Sequence, residues 1–172
     1  LMIVIAILIK LDSPGPIIFK QNRTGWNGRE FPIWKFRSMK VQSSQTIELK
    51  QATRDDDRVT RIGRFIRKTS IDELPQLFNV LSGSMSMVGP RPHAIEHNTD
   101  YDQRIGDYMA RHRIKPGITG LAQINGYRGE TDTLDKMQKR VEYDMQYINT
   151  WSFWLDIEIL IKTVPALLRD DA

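Results

Sequence analysis

The sequence predicts an α/β fold of the α+β kind: a single, mostly helical domain with a few short strands. Helical patterning runs over residues 59–68, 72–81, 94–113, 131–147 and 151–168. Short runs with strand character occur at 17–21, 31–39 and 85–88, bounded by Gly, Pro, Asn and Ser. The 172 residues suffice for one domain with a real core and are too few for two of ordinary size.

Composition narrows the chemistry. The chain has no Cys, which excludes disulfides, thiolate metal sites and a thiol nucleophile. Its three His (His93, His97, His112) argue against a His-rich zinc site. The net charge of +4 conceals an asymmetry. Residues 1–70 carry 14 Lys/Arg against 6 Asp/Glu, and residues 71–172 carry 11 against 15. A basic first half suits an anionic partner, whether nucleic acid, anionic lipid or a phosphorylated substrate.

Residues 1–9 form an uninterrupted apolar run that ends at Lys10. As a helix it would be roughly 14 Å long, about half the thickness of a bilayer's hydrocarbon, and too short to span it. It lacks the basic leader and small-residue cleavage site of a signal peptide. It reads as a buried core element, as one arm of a re-entrant hairpin, or as the tail of a longer membrane segment. Residues 10–16, Pro- and Gly-rich, form a loop. The runs at 17–21 and 31–39 are strands joined by a turn at Gly25-Trp-Asn-Gly28. In the second run Ile33, Lys35 and Arg37 share one face, opposite Trp34, Phe36 and Ser38. Lys35 and Arg37 together suggest a phosphate clamp, with a solvated edge strand as the alternative.

Residues 41–53 are polar and read as a surface helix or loop. Asp55-Asp-Asp57 imitates acidic catalytic triplets, but no buried apolar strand precedes it, which favours a solvated acidic loop. The helix at 59–68 places Ile62, Phe65 and Ile66 inward and Arg61, Arg64 and Lys68 outward. The helix at 72–81 stops at Ser82-Gly83. Next comes Gly89-Pro-Arg-Pro92, in which the flanking prolines hold Arg91 on a stiff extended stalk suited to bidentate phosphate contact. A plain Pro-rich turn is the alternative. The Gly-punctuated segment 115–126 is the kind of loop that approaches a ligand closely. The last helix, with Trp151, Phe153 and Trp154 at one end, fits either a membrane interface or docking on the core.

The chemistry centres on Thr69-Ser-Ile-Asp-Glu-Leu-Pro-Gln76. Ser70 and Glu73 have capping-box spacing, and acids are common in a first helical turn, so a structural reading is available. The surroundings support a functional one. A helix start keeps carboxylates ionised and attracts phosphate, and an ionised Asp72 is a competent nucleophile toward phosphorus. Glu73, on a different side of the helix, suits a hard cation such as Mg²⁺, which takes one or two carboxylates and completes its shell with phosphate oxygens and water. Arg67, five residues before Asp72, is close enough to reach the same site.

Taken in order, five segments resemble the bacterial sugar transferase family, the monotopic phosphoglycosyl transferases that act on polyprenyl phosphate. They are Ser13-Pro-Gly-Pro-Ile-Ile-Phe-Lys-Gln21, Lys35-Phe-Arg-Ser-Met39, Arg67-Lys-Thr-Ser-Ile-Asp-Glu-Leu-Pro-Gln-Leu-Phe-Asn79, Met87-Val-Gly-Pro-Arg-Pro92 and Lys115-Pro-Gly-Ile-Thr-Gly-Leu-Ala-Gln123. The resemblance covers residues 10–168. It implies that Asp72 attacks the β-phosphate of a UDP-sugar, expels UMP and carries a phosphosugar, which undecaprenyl phosphate then removes. Glu73 would hold Mg²⁺, Arg67 and Arg91 would position phosphate and carboxylate, and Lys35 and Arg37 would support them. Asp144 and Asp156 fall at acidic positions of the family pattern. The resemblance also implies that residues 1–12 are the returning arm of a re-entrant membrane helix whose entering arm is missing, and that 13–172 form the catalytic domain. The implied location is the cytoplasmic face of a bacterial inner membrane, with membrane lipid as a partner and a homodimer left open. His93-Ala-Ile-Glu-His97 looks like the larger members, which transfer glucose or galactose 1-phosphate; glucose is favoured. The implied role is the first membrane step of exopolysaccharide, capsule or O-antigen assembly.

Two further classes compete with this enzyme. A catalytically silent basic module docking on anionic membrane would account for the charged half and both apolar ends, but does not require Asp72-Glu73. A nucleic-acid binder would need a stacking platform or recognition-helix pattern that the basic residues lack, so nucleic acid is not an expected partner.

Overall fold

A computed structural model describes residues 1–41, 56–93, 95, 101–102, 104–129 and 133–168. The surface segment expected at 41–53 lies almost wholly outside the described residues, as do Asp55 and His97. Two compact units divide the chain. One comprises Leu1–Phe19 and Trp34–Pro75, the other Lys20–Ile33 and Gln76–Ala172.

In the first unit, helix α1 (Met2–Asp12) forms from a run free of Gly and Pro. It ends where Pro14 forces Ser13 into an extended conformation (φ −157°, ψ 149°). Ile5 and Ile9, one turn apart, are buried with Phe36 and Ile66, while Ile3, Val4, Ile7 and Leu11 are exposed. One stripe of α1 is therefore core, and its opposite side remains apolar and uncovered. Among the described residues no helix is long and apolar enough to cross a membrane.

Helix α2 (Arg61–Lys68) carries two caps at its start. Thr60 Oγ1 accepts from Gly63 N–H at 2.9 Å, and Asp12 Oδ2 accepts from Ile62 N–H at 3.0 Å. These bonds to Asp12, the Thr60 side chain's first and then the Ile62 amide's, lower its carboxyl pKa. Gly63 brings the helix against the chain after the second strand. A methyl group there would lie 1.9 Å from Ser38 O. That approach buries Gly63 and Ile66 and turns Phe65 outward to 54% exposure. Phe65 was expected to face inward; the glycine contact sets the rotation of the helix, and hydrophobicity alone does not.

Strands β1 (Ile18–Thr24) and β2 (Glu30–Phe36) form a two-stranded sheet, joined by the expected turn, in which Asn27 and Gly28 take positive φ. Strict alternation fails along β2. Phe31, Ile33 and Phe36 are buried, and Phe31 and Ile33 belong to a different apolar cluster from Phe36.

In the second unit, helix α3 (Gln76–Leu81) leads to strand β3 (Ser86–Val88), which pairs in parallel with β4 (Gly117–Thr119). Asn79, buried in α3, ties this region together. Its Nδ2 donates to Pro32 O at 2.8 Å, and its carbonyl accepts from the amides of Ser84 and Met85. Leu77, Phe78 and Leu81 of the same helix point outward. The described end of the helix expected at 94–113 is a 3₁₀ segment, Tyr108–Arg113, entered through Asp107 at φ 61°. Helices α4 (Leu121–Ile124), α5 (Leu134–Thr150) and α6 (Phe153–Leu168) complete the unit. Thr133 Oγ1 caps α5 through Lys136 N–H. Ile159 of α6 is fully buried with Val88 and Tyr147, whereas Trp154, Ile161 and Val164 are exposed. The last helix thus docks by one face and leaves an apolar face uncovered.

Candidate active site

Helix α2 ends at Thr69, and Ser70 turns the chain with φ 55° and ψ 17°. A left-handed serine costs about 1–2 kcal/mol, and such residues concentrate where backbone is held for function. The capping box expected from Ser70 and Glu73 does not form. The amide of Glu73 bonds to the main-chain oxygen of Ser70 at 3.1 Å, while Ser70 Oγ is buried without a hydrogen-bond partner among the described residues. The left-handed turn accounts for this, because an N-cap serine needs extended backbone. Asp72 and Glu73 therefore sit in a separate 3₁₀ turn, Ile71–Glu73, and α3 begins only after Pro75.

That turn separates the two acids by environment. Asp72 is half-buried, whereas Glu73 is 8% exposed, and Lys35 Nζ meets Glu73 Oε1 at 2.7 Å. Lys35 from β2 thus orients the buried acid. Arg37, expected beside it in a phosphate clamp, has another task. Buried at 5% exposure, its guanidinium donates to the main-chain oxygens of Pro14, Ile9 (3.3 Å) and Ser13 (2.7 Å). It fixes the exit from α1. Carbonyl acceptors at a helix C-terminus attract cations as phosphate does, and sequence does not distinguish the two. Arg67, in the last turn of α2, is half-buried and lowers the pKa of Asp56, whose main partner is Arg58. Asp56 and Arg58 pair at 2.5 Å, so the described part of the acidic triplet forms a local turn.

The remaining expected residues belong to the second unit. Gly117 N–H donates to Pro90 O at 3.0 Å, and Gly89 N–H to Thr119 O at 2.9 Å. Side chains at Gly117 or Gly120 would come within 2.1 Å of Gly89 N and 2.3 Å of Gly89 O. The glycines of the 115–126 segment thus let it close against the backbone that leads into Arg91. Asp144, at an acidic position of the family pattern, is 2% exposed and pairs with Arg111 at 2.7 Å. Burial raises its pKa against the pull of Arg111 and Arg140. Asp156 accepts from Tyr147 OH at 2.7 Å and from Trp151 Nε1 at 3.3 Å, linking α5 to α6. The carboxylates of both residues are engaged by protein groups.

Sequence reasoning missed Arg111 and Arg140, and used His93 only as part of the family-like string His93-Ala-Ile-Glu-His97. Arg140 donates to the carbonyls of Tyr127 and Gly129. Burial, then the charges of Arg91 and Arg111, lower its pKa to about 10. Burial, then Arg111 and Arg140, keep His93 neutral well below its ordinary pKa. Only the basic tripeptide Arg111-His-Arg113 hinted at such a cluster.

The two carboxylates of the Ile71–Glu73 turn match a hard cation in donor type. Among the described residues no group of three or more acids and histidines could hold one unaided.

The model of the family described as "Bacterial sugar transferase" matches residues 1–170. The chain belongs to that family. It is 60% identical over 160 residues, 93% of its length, to the UDP-glucose:undecaprenyl-phosphate glucose-1-phosphate transferase of Escherichia coli K12. It is 56% identical over 168 residues, 98% of its length, to the protein of the same name from Xanthomonas campestris. A UDP-N-acetylgalactosamine-undecaprenyl-phosphate N-acetylgalactosaminephosphotransferase of Aeromonas hydrophila is 47% identical over 169 residues, 98% of the chain. The sugar transferase chain spans 34%, 35% and 39% of these three relatives.

Proposed function

We propose that the chain transfers a hexose 1-phosphate, glucose in preference to galactose, from a UDP-sugar to undecaprenyl phosphate. A carboxylate oxygen of Asp72 attacks the β-phosphorus. The bond from that phosphorus to the bridging oxygen breaks, and UMP leaves with the electron pair. An oxygen of undecaprenyl phosphate then attacks the same phosphorus, forms the diphosphate and frees Asp72 as a carboxylate. Glu73, oriented by Lys35, would hold Mg²⁺, which offsets charge on the diphosphate. Arg67 and Arg91 would bind and orient the anionic groups.

The observation that carries this reading is the asymmetry of the acid pair. A half-buried Asp72 sits beside a buried Glu73 fixed by Lys35, in one turn that follows a strained serine. The names of the relatives support the donor, the acceptor and glucose, and the N-acetylgalactosamine relative shows how far the sugar varies in the family. The uncovered apolar faces of α1 and α6 support work at the inner membrane's cytoplasmic surface, where the acceptor's head group lies and polysaccharide assembly would begin.

The test is UMP release across a panel of UDP-sugars with undecaprenyl phosphate and Mg²⁺. UDP-glucose should give the highest turnover, and Asp72→Asn should abolish it while leaving thermal unfolding unchanged. Turnover by Asp72→Asn would remove the nucleophile assignment. Binding to anionic vesicles with no UMP from any donor would leave a membrane-docking module instead.

A further inference from the structure

We propose that Arg111, held by Asp144, is a positioning residue for Arg91, gripping the carbonyl of Arg91 before Pro92 and the imidazole of His93 after it. The inference rests on the reading that Arg91 meets the phosphates of the donor.

Arg111 Nη2 donates to Arg91 O at 2.7 Å and to Asp144 Oδ2 at 2.7 Å. Nη1 lies against the His93 ring, 3.1 Å from Nε2 and in contact with Nδ1. One guanidinium therefore holds the residue before Pro92 by its carbonyl and the residue after it by its side chain. The hold is itself fixed. Tyr108 OH and His93 Nδ1 are 2.9 Å apart, and the Arg111 guanidinium lies 5.4 Å from the centre of the Tyr108 ring. Arg111 is 2% exposed and Tyr108 fully buried, so water does not compete for these contacts.

Stability alone is a poor account of this arrangement. A buried ion pair is often no more stabilising than apolar side chains of the same volume. What a planar, multi-donor guanidinium adds is direction, since it fixes several acceptors at set angles. The prolines restrict Arg91's own backbone, and Gly117 N–H holds Pro90 O. Arg111 supplies a further fixed point, at the carbonyl of Arg91. Charge points the same way. Among the described residues the two guanidiniums of Arg111 and Arg140 share one buried carboxylate, Asp144, and His93 is kept neutral, so these groups together carry a positive excess behind Arg91. Such an excess favours an anion at Arg91.

The test is a double-mutant cycle on UMP release from UDP-glucose, using Arg111→Met, Arg91→Ala and the combination, with kcat and KM determined separately. Misplacing a contact by about 1 Å can cost on the order of 100-fold, so Arg111→Met should lower kcat/KM by about 10- to 100-fold when Arg91 is intact. In the Arg91→Ala background it should cost less than about 2-fold more, because coupled residues are not additive. Arg111→Lys, which keeps the charge but not the planar fork, should recover less than about a third of the lost activity. This variant also serves if Arg111→Met does not fold. Equal fold-losses in both backgrounds would overturn the inference, since general destabilisation multiplies through either way. Normal turnover by Arg91→Ala would overturn the role of Arg91 and this inference with it. It would leave the nucleophile assignment standing, because that depends on Asp72→Asn.

Discussion

Replacing Lys35 by Met removes the cation from a 2.7 Å pair with Glu73 while retaining most of the side chain's volume. Taking one partner from a fully buried pair costs about 3–5 kcal/mol, and from an exposed pair about 1 kcal/mol or less. This pair lies between those limits. The Glu73 side chain is 10% exposed and that of Lys35 is 21%, so the loss falls on the less hydrated carboxylate. Glu73 has interactions besides Lys35, which places the expected cost of Lys35→Met at about 2–3 kcal/mol. At about 2–4 °C per kcal/mol for a chain of this size, the midpoint should fall by roughly 4–12 °C. Glu73→Gln should cost less, about 1 kcal/mol, because the Lys35 head can turn to water. The double variant should then be more stable than Lys35→Met alone, with a coupling of about 1–2 kcal/mol. Thermal unfolding of all four proteins in one buffer measures this. Additivity to within about 0.5 kcal/mol would refute Lys35 as the partner that fixes Glu73.

Two more expectations concern folding. Gly63→Ala would place a methyl group 1.9 Å from Ser38 O, so α2 must shift; we expect a loss of about 3 kcal/mol, read as a lower unfolding midpoint. An unchanged midpoint would refute the close approach. Burial and then Arg111 lower the pKa of His112 to about 4, so between pH 6.5 and 4 the unfolded chain binds more protons than the folded one, and stability falls with acidification. From pH 7 to pH 5 His112 should account for a loss of about 2 kcal/mol, and His93 acts in the same sense. The raised pKa of Asp144 acts in the opposite sense, since the folded chain binds that proton at a higher pH than the unfolded one. A flat midpoint between pH 7 and 5 would contradict the buried neutral imidazoles.

Elements governed by local periodicity and punctuation were legible in the sequence. The helix at 59–68 appears as α2, the stop at Ser82-Gly83 ends α3, and the turn at Gly25–Gly28 joins β1 to β2. Features set by a distant main-chain atom were not legible. Phe65 faces outward because Ser38 O lies over Gly63, and hydrophobic patterning contains no information about that carbonyl. Arg37 illustrates the same limit at the site. Alternation placed it beside Lys35, yet nothing in the string Lys35-Phe-Arg37 tells a guanidinium meant for phosphate from one meant for the end of a helix.

The acids repeat this pattern in a way that bears on mechanism. Asp72, Glu73, Asp144 and Asp156 all stand out in sequence, but their surroundings give them different work. Asp156 accepts from two aromatic side chains and joins helices. Asp144 neutralises one of the two buried guanidiniums beside it, Arg111 and Arg140, so its value to an anion-binding site is indirect. Glu73 is oriented by a lysine. Of the four, Asp72 alone combines partial exposure with a place in a turn set up by a left-handed residue. A nucleophile needs that combination: reachable by its target, yet held by a backbone that does not relax when the bond forms. Relaxing Ser70 is therefore the change that would separate position from chemistry. Ser70→Gly keeps both carboxylates and relieves the positive φ, so it should raise stability by up to about 1 kcal/mol. If the left-handed turn is what aims Asp72, turnover should fall even as the unfolding midpoint rises. Parallel gains in both would mean that the strain at Ser70 has no part in presenting the nucleophile.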